Sequence, residues 1–167
     1  MTEARANGAL TLRDATVADL PAVMIIENDS FTDPWSEQAY RDTLESEQAA
    51  MHVALNAAGE IVGHSVTYFA ADEAELATIA VAASARRTGV GRGLLGHALL
   101  ICGARGSRKL FLEVRESNAA ARAMYVAAGF SPVGRRRAYY SLPTEDAVLM
   151  LREIGPAESP VGPVAGS

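Results

Sequence analysis

Arg86-Arg87-Thr88-Gly89-Val90-Gly91-Arg92-Gly93-Leu94-Leu95 is the stretch that decides the fold, because the periodicity of the chain changes across it. Before it, Glu75 to Val81 reads as a strand. After it, Val90, Leu94, Leu95, Ala98, Leu99 and Cys102 fall on one helical face that ends near Gly103 or Gly106. Glycines at such a junction let the backbone curl tightly and expose successive N–H groups at a helix N-terminus. Unsatisfied amides and the helix dipole together favour an anion, above all a phosphate. Arg86, Arg87 and Arg92 add cationic donors around the loop.

The same stretch holds Gly91-x-Gly93-x-x-Gly96, a formal match to the dinucleotide fingerprint, with Glu113 about 20 residues beyond Gly93. The context rejects it. Nine residues, Ala82 to Val90, separate the strand end at Val81 from Gly91, where the fingerprint should follow the strand directly. Gly93 and Gly96 also fall inside the amphipathic helix rather than in a turn. The chain does not open with a parallel βαβ unit.

Upstream of the loop, Leu10 and Leu12 alternate with polar residues in a short strand. Thr16 and Asp19 have the spacing to cap a helix carrying Leu20, Val23, Met24 and Glu27, with Pro21 in its first turn. Ser36 is a candidate N-cap for a second helix reaching about Leu44, with Glu37 in its first turn. Met51 to Asn56 and Ile61 to Phe69 then form strands joined through Gly59, and with Glu75 to Val81 they make an antiparallel meander. Downstream, Lys109 to Arg115 is a strand with Leu110, Leu112 and Val114 on one face and Phe111, Glu113 and Arg115 on the other. Ser117 is expected to cap a helix carrying Ala121, Met124, Tyr125 and Ala128, which Gly129 stops. Phe130 to Tyr140 and Ala147 to Arg152 supply two more strands, with Tyr139 and Tyr140 running into a loop. The order β-α-α-β-β-β-α-β-α-β-β gives an α/β (α+β) class: a mixed, mostly antiparallel central sheet with helices on both faces. One domain is expected over 10–154, with disordered ends over 1–9 and 155–167.

The composition narrows the function. A formal net charge of −5 argues against sequence-independent nucleic-acid binding. A single cysteine, Cys102, precludes an intramolecular disulfide, and the scattered His52, His64 and His97 show no ligand spacing, so no metal site is expected. No apolar run approaches the ~20 residues that span a bilayer, and no signal peptide is evident. A soluble cytoplasmic protein without membrane partners is the expectation. Cys102, on the apolar helix face, reads as inert core.

Arg-Arg-x-Gly-x-Gly followed by apolar helix residues resembles the acyl-CoA pyrophosphate loop of the GNAT enzymes. Further segments resemble one branch, the ribosomal-protein-alanine N-acetyltransferases or RimI family. They are Pro34-Trp35-Ser36-Glu37, Ile79-Ala80-Val81, Leu112-Glu113-Val114-Arg115, Ser117-Asn118-Ala119-Ala120-Ala121, Tyr125 with Gly129-Phe130, Arg136-Arg137-Ala138-Tyr139-Tyr140 and Glu145-Asp146-Ala147. Asp33 departs from the family, which commonly carries an aromatic or apolar residue before Pro-Trp-Ser. The resemblance implies a GNAT fold, acetyl-CoA as cosubstrate, and the N-terminal alanine of a small-subunit ribosomal protein as acceptor. Residue by residue, it implies Glu113 as general base and Tyr125 as general acid. Ile79, Ala80 and Val81 would pair with the pantetheine arm, Arg87, Thr88, Gly89, Val90, Gly91 and Arg92 would hold the pyrophosphate, and Asn118 would touch CoA. Tyr139 and Tyr140 would shape the acceptor site, with Trp35 as either a substrate contact or a core anchor.

These residue types suit acetyl transfer to an amine. An α-amino group, with a pKa of ~7.7–8.0, is more easily deprotonated than a lysine at ~10.4. A carboxylate such as Glu113 is a suitable proton acceptor, directly or through water. A thiolate resembling cysteine at ~8.5 can take a proton from a tyrosine at ~10, uphill by about two units. A backbone N–H near Val81 would hold the carbonyl oxygen. Each residue also has a plainer reading: Glu113 paired with an arginine across the sheet, Tyr125 packed in the core, Arg135, Arg136 and Arg137 a solvated face, Glu145 and Asp146 either a solvated turn or a contact for a basic substrate. Two rival functions stand beside the first: a GNAT enzyme for a lysine or small-molecule amine, and an idle acyl-CoA-binding module.

Overall fold

The structure, a computed structural model, describes residues 9–155. The expectations of disordered ends lie almost wholly outside that range. Seven strands are ordered β1-β2-β3-β4-β5-β7-β6 in one sheet: β1 (Thr11–Asp14), β2 (Ala49–Leu55), β3 (Ile61–Ala70), β4 (Glu73–Val81), β5 (Lys109–Arg115), β6 (Ser131–Tyr140) and β7 (Glu145–Glu153). Four α-helices interleave with them: α1 (Leu20–Ser30), α2 (Glu37–Glu45), α3 (Val90–Ala104) and α4 (Ala119–Ala127). Short 3-10 turns at Val17–Asp19 and Ala83–Ala85 precede α1 and α3. This is the mixed, mostly antiparallel sheet with helices that the element order implied; β4 and β5 run parallel, as a strand-helix-strand crossover through α3 requires. Among the described residues no helix is long and apolar enough to cross a membrane.

The residues fall into two compact units. Among the described residues, one comprises 9–68 with Thr78–Ala98; the other comprises Phe69–Ala77 and 99–155. In the first, β1, β2 and β3 pair antiparallel, and Asn56 closes the β2–β3 turn by accepting the N–H groups of Ala58 and Glu60 at 3.0 and 2.9 Å. Ala54, Val62, Val90 and Leu94 form a core cluster, with Ile79 and Val81 packed against it. Gly63 of β3 has to be glycine: an added Cβ would stand 2.9 Å from Val90 Cγ1 and 3.0 Å from the Ala80 carbonyl oxygen. The start of α3 is therefore pressed directly onto the sheet backbone. Thr16 and Asp19 do form a capping box, but it closes the 3-10 turn ahead of α1.

In the second unit β5 pairs antiparallel with β7, and β7 with β6, which ends the sheet. The alternation expected of β5 is observed, with Leu110, Leu112 and Val114 buried and Phe111, Glu113 and Arg115 partly exposed. Full burial of such a leucine contributes about 1.5–3 kcal/mol, which fixes the strand's facing and hence the side on which Glu113 emerges. β6 carries three arginines and a bulge between Arg136 and Tyr140, features that keep an open sheet edge from pairing with another chain. Tyr139 and Tyr140 thus end a strand, correcting the expected loop.

Candidate functional site

The glycine loop of the first unit has the backbone an anion site needs. Arg87 and Gly89 both take left-handed φ values, 67° and 92°, within three residues. The Gly93 N–H donates to the Gly89 carbonyl at 2.9 Å. The N–H groups of Val90, Gly91 and Arg92 ahead of it lie outside the helical ladder and are available to an incoming group. Arg86 is committed elsewhere, its Nε donating to the Val81 carbonyl at 3.1 Å. Arg87 and Arg92 are exposed. Ile79, Ala80 and Val81 form the end of β4, with Ala80 buried. The donor set fits a pyrophosphate. Gly93 and Gly96 sit within α3, which agrees with the rejection of the dinucleotide reading.

Trp35 belongs to the same unit. It precedes α2, is partly buried, and its ring stands 5.1 Å from that of Tyr40. Its backbone N–H donates to Glu27 Oε2 at 2.9 Å. Glu27 Oε1 accepts from the Tyr40 hydroxyl at 2.6 Å and lies 3.0 Å from His64 Nε2, in a node with no solvent access. Burial opposes ionisation of Glu27, yet the bonds from His64, Tyr40 and Trp35 outweigh it and hold its pKa below the usual value. Nothing in the sequence marks this node, because Glu27 reads as an ordinary polar residue on a surface helix.

The second unit carries the candidate acid–base groups. Glu113 projects from β5 with 11% side-chain exposure and is ion-paired with Arg136 Nε. Tyr139 hydrogen-bonds the same carboxylate, which is the first cause of its raised pKa, followed by burial. Burial pushes Tyr140 up to about 12, with Glu113 as the next contributor. Tyr125 is buried in α4, edge-on to Phe130 with centroids 5.7 Å apart. Burial, then Tyr140, drives its pKa well above that of an ordinary phenol. The two-unit gap expected between this phenol and a thiolate is accordingly too small. Glu75 of β4, opposite Phe111 in the parallel register, is raised by burial first and by Glu113 second, and lowered by Arg136.

Two further expectations need correction. The cap of α4 is Asn118, whose Oδ1 accepts from the Ala121 N–H at 3.1 Å, while the Ser117 N–H donates to Glu145. Glu145 also pairs with Arg115 at 3.2 Å. Asp146 accepts the Ala138 N–H at 2.8 Å and pairs with Arg135 at 3.4 Å, so both carboxylates hold the fold together. The three arginines are exposed, as a solvated run should be, and two of them are also paired: Arg135 reaches Glu116 at 2.7 Å and Arg136 reaches Glu113. Cys102 is buried, and desolvation pushes its thiol up to about 12, as inert core should be.

Comparisons with known proteins show the family. The sequence model of the Acetyltransferase (GNAT) family matches residues 20–130. The chain is 38% identical over 144 residues to the ribosomal protein bS18-alanine N-acetyltransferase of Escherichia coli K12, covering 84% of this chain and 95% of that one. It is 36% identical over 159 residues to the N-alpha-acetyltransferase RimI of Mycobacterium tuberculosis, covering 92% and 96% of the two. The crystal structure of the Escherichia coli ribosomal-protein-alanine N-acetyltransferase superposes with a TM-score of 0.81 at 36% identity, covering 87% of this chain and 94% of that one.

Proposed function

This chain belongs to the GNAT acetyltransferase family and is an N-acetyltransferase, and from that premise we propose which acceptor it serves. It moves acetyl from acetyl-CoA directly to the N-terminal α-amine of a protein, the alanine of a small-subunit ribosomal protein in the cytoplasm. The observation that carries this reading is the grouping of Glu113 on β5, ion-paired with Arg136 of β6, with the Tyr139 and Tyr140 rings that follow on β6, 5.1 Å apart. The name of the Escherichia coli relative supports the acceptor.

When bound, acetyl-CoA supplies the acetyl group as a thioester. Arg87, Thr88, Gly89, Val90, Gly91 and Arg92 hold its pyrophosphate through amides and guanidinium groups, and Ile79, Ala80 and Val81 offer strand backbone to its arm. Asn118 contributes from the start of α4. Glu113 removes a proton from the acceptor ammonium, and the Tyr125 O–H protonates the departing sulfur. The raised pKa of Tyr125 makes that donation costly in the resting protein, so the phenol donates as charge builds on the sulfur rather than beforehand. Tyr139 and Tyr140 shape the acceptor site.

Mass spectrometry on the protein with acetyl-CoA and two peptides tests the reading. One peptide begins with a free alanine followed by basic residues; the other is blocked at its N-terminus and carries a lysine. Acetylation of the free α-amine alone supports it. Label only on lysine moves the enzyme to another GNAT acceptor, and binding of CoA without turnover marks an idle module.

The loop has its own test. Gly89→Val forces a β-branched residue into φ near +92°, a conformation that costs on the order of 1–3 kcal/mol. The KM for acetyl-CoA is expected to rise about tenfold or more in steady-state kinetics. An unchanged KM would remove the loop from the pyrophosphate site.

A further inference from the structure

The carboxylate read as general base already has a cation on it. Glu113 is almost covered, while its partner Arg136 lies 56% exposed in solvent. Two carboxylates, Glu113 and Glu75, share this face of the sheet, and Arg136 is the cation that acts on both. An acceptor α-amine has a pKa of ~7.7–8.0 and so arrives largely as an ammonium near neutral pH. It brings the charge that Arg136 carries, to the oxygen atoms that Arg136 occupies.

The local backbone holds Arg136 in place while leaving its side chain somewhere to go. Between Arg136↔Ala147 and Tyr140↔Glu145, β6 has three residues where β7 has one. Asp146 pins this bulge through the Ala138 N–H, and Ala138 takes a left-handed φ of 49°. The bulge brings the Tyr139 ring to 5.7 Å from the Arg136 guanidinium, a cation–π neighbour that can retain the side chain once it leaves Glu113.

We propose that Arg136 is a displaceable stand-in for the acceptor ammonium, resting on Glu113 in the empty enzyme and yielding that carboxylate when the acceptor arrives. The inference rests on the reading of Glu113 as the group that receives the acceptor amine. Arg136 is a positioning residue in this scheme: it keeps the carboxylate oriented between turnovers. Because the guanidinium is exposed, the pair is weak enough for a substrate to break.

Displacement lowers the apparent affinity of the acceptor, so removing the competitor has an effect opposite to that of losing a useful contact. Arg136→Gln is expected to lower the acceptor-peptide KM by up to about fivefold. Arg136→Lys, which keeps a cation, should stay close to the parent. A general gain in attraction for a basic peptide would lower KM too, and the acetylated product separates the two. Lacking the ammonium, the product should inhibit the parent and Arg136→Gln equally. An unchanged or raised acceptor KM in Arg136→Gln, or an equal tightening of product and acceptor, would overturn the proposal alone. Failure of the parent enzyme to acetylate the α-amine would overturn the functional reading along with it.

Discussion

Glu113→Gln lowers turnover of an alanine-terminated peptide by about 10²–10⁴-fold, the range a positioned general base contributes, and leaves the affinity for acetyl-CoA unchanged. The amide matches the carboxylate in shape but cannot accept the acceptor's proton. Only the pair with Arg136 and the bond from Tyr139 are weakened by the change, and Arg136 is mostly in solvent. Folding is therefore little affected, and the loss appears in kcat. Tyr125→Phe should lower turnover by about 10²-fold, toward the low end of the range, because burial has already made this phenol a reluctant donor. Steady-state kinetics with calorimetric CoA binding reads both variants. Undiminished turnover in the pair would sink the assignment of base and acid.

Glu27→Ala produces the largest expected loss of stability, about 3 kcal/mol, from breaking a buried and hydrogen-bonded charge cluster. The Trp35 N–H loses its acceptor outright. Tyr40 and His64 keep each other, their hydroxyl and Nε2 lying 3.1 Å apart, which holds the loss at the lower end for a buried pair. A loss of this size lowers the melting temperature by roughly 10 °C in a chain of this length. The contribution depends on pH in a definite direction. The pKa of Glu27 is depressed in the folded state, so its stabilisation is present above the usual carboxylate value of 4.5 and is lost as pH falls through the lower folded value. The variant should accordingly lose less stability than the parent on acidification below pH 4.5. Thermal melts of both proteins across that window test it, and a shift under about 2 °C at neutral pH would show the node to be dispensable.

The same residues show how far the sequence could be read. The glycine loop, the face of β5 and the apolar stripe of α3 were legible because each is encoded within about a dozen neighbouring residues. Periodicity and glycine chemistry act over that range, and nothing distant is needed to decide them. Glu113 and Tyr125 were identifiable through the family motifs around them, and their plainer readings were not wrong either. Glu113 does pair with an arginine across the sheet, and Tyr125 is buried. The structure shows these plainer roles, and the catalytic ones proposed above would be carried by the same side chains.

Local pattern was thus enough for the order of the elements, the glycine loop ahead of α3, the side of the sheet on which Glu113 emerges and the family to which these belong. Which neighbours each polar group would meet was settled by the folded chain alone. Ser117 and Asn118 are adjacent and equally able to cap a helix, and the choice fell to Asn118 while Glu145, 28 residues away, took the Ser117 N–H. Glu27 became a buried node because Tyr40 and His64, 13 and 37 residues on, closed around it. Tyr125 became a weaker acid than its type suggests because packing removed water from it. Burial and pairing sum over every group brought near by the fold, and no local window of sequence contains that sum.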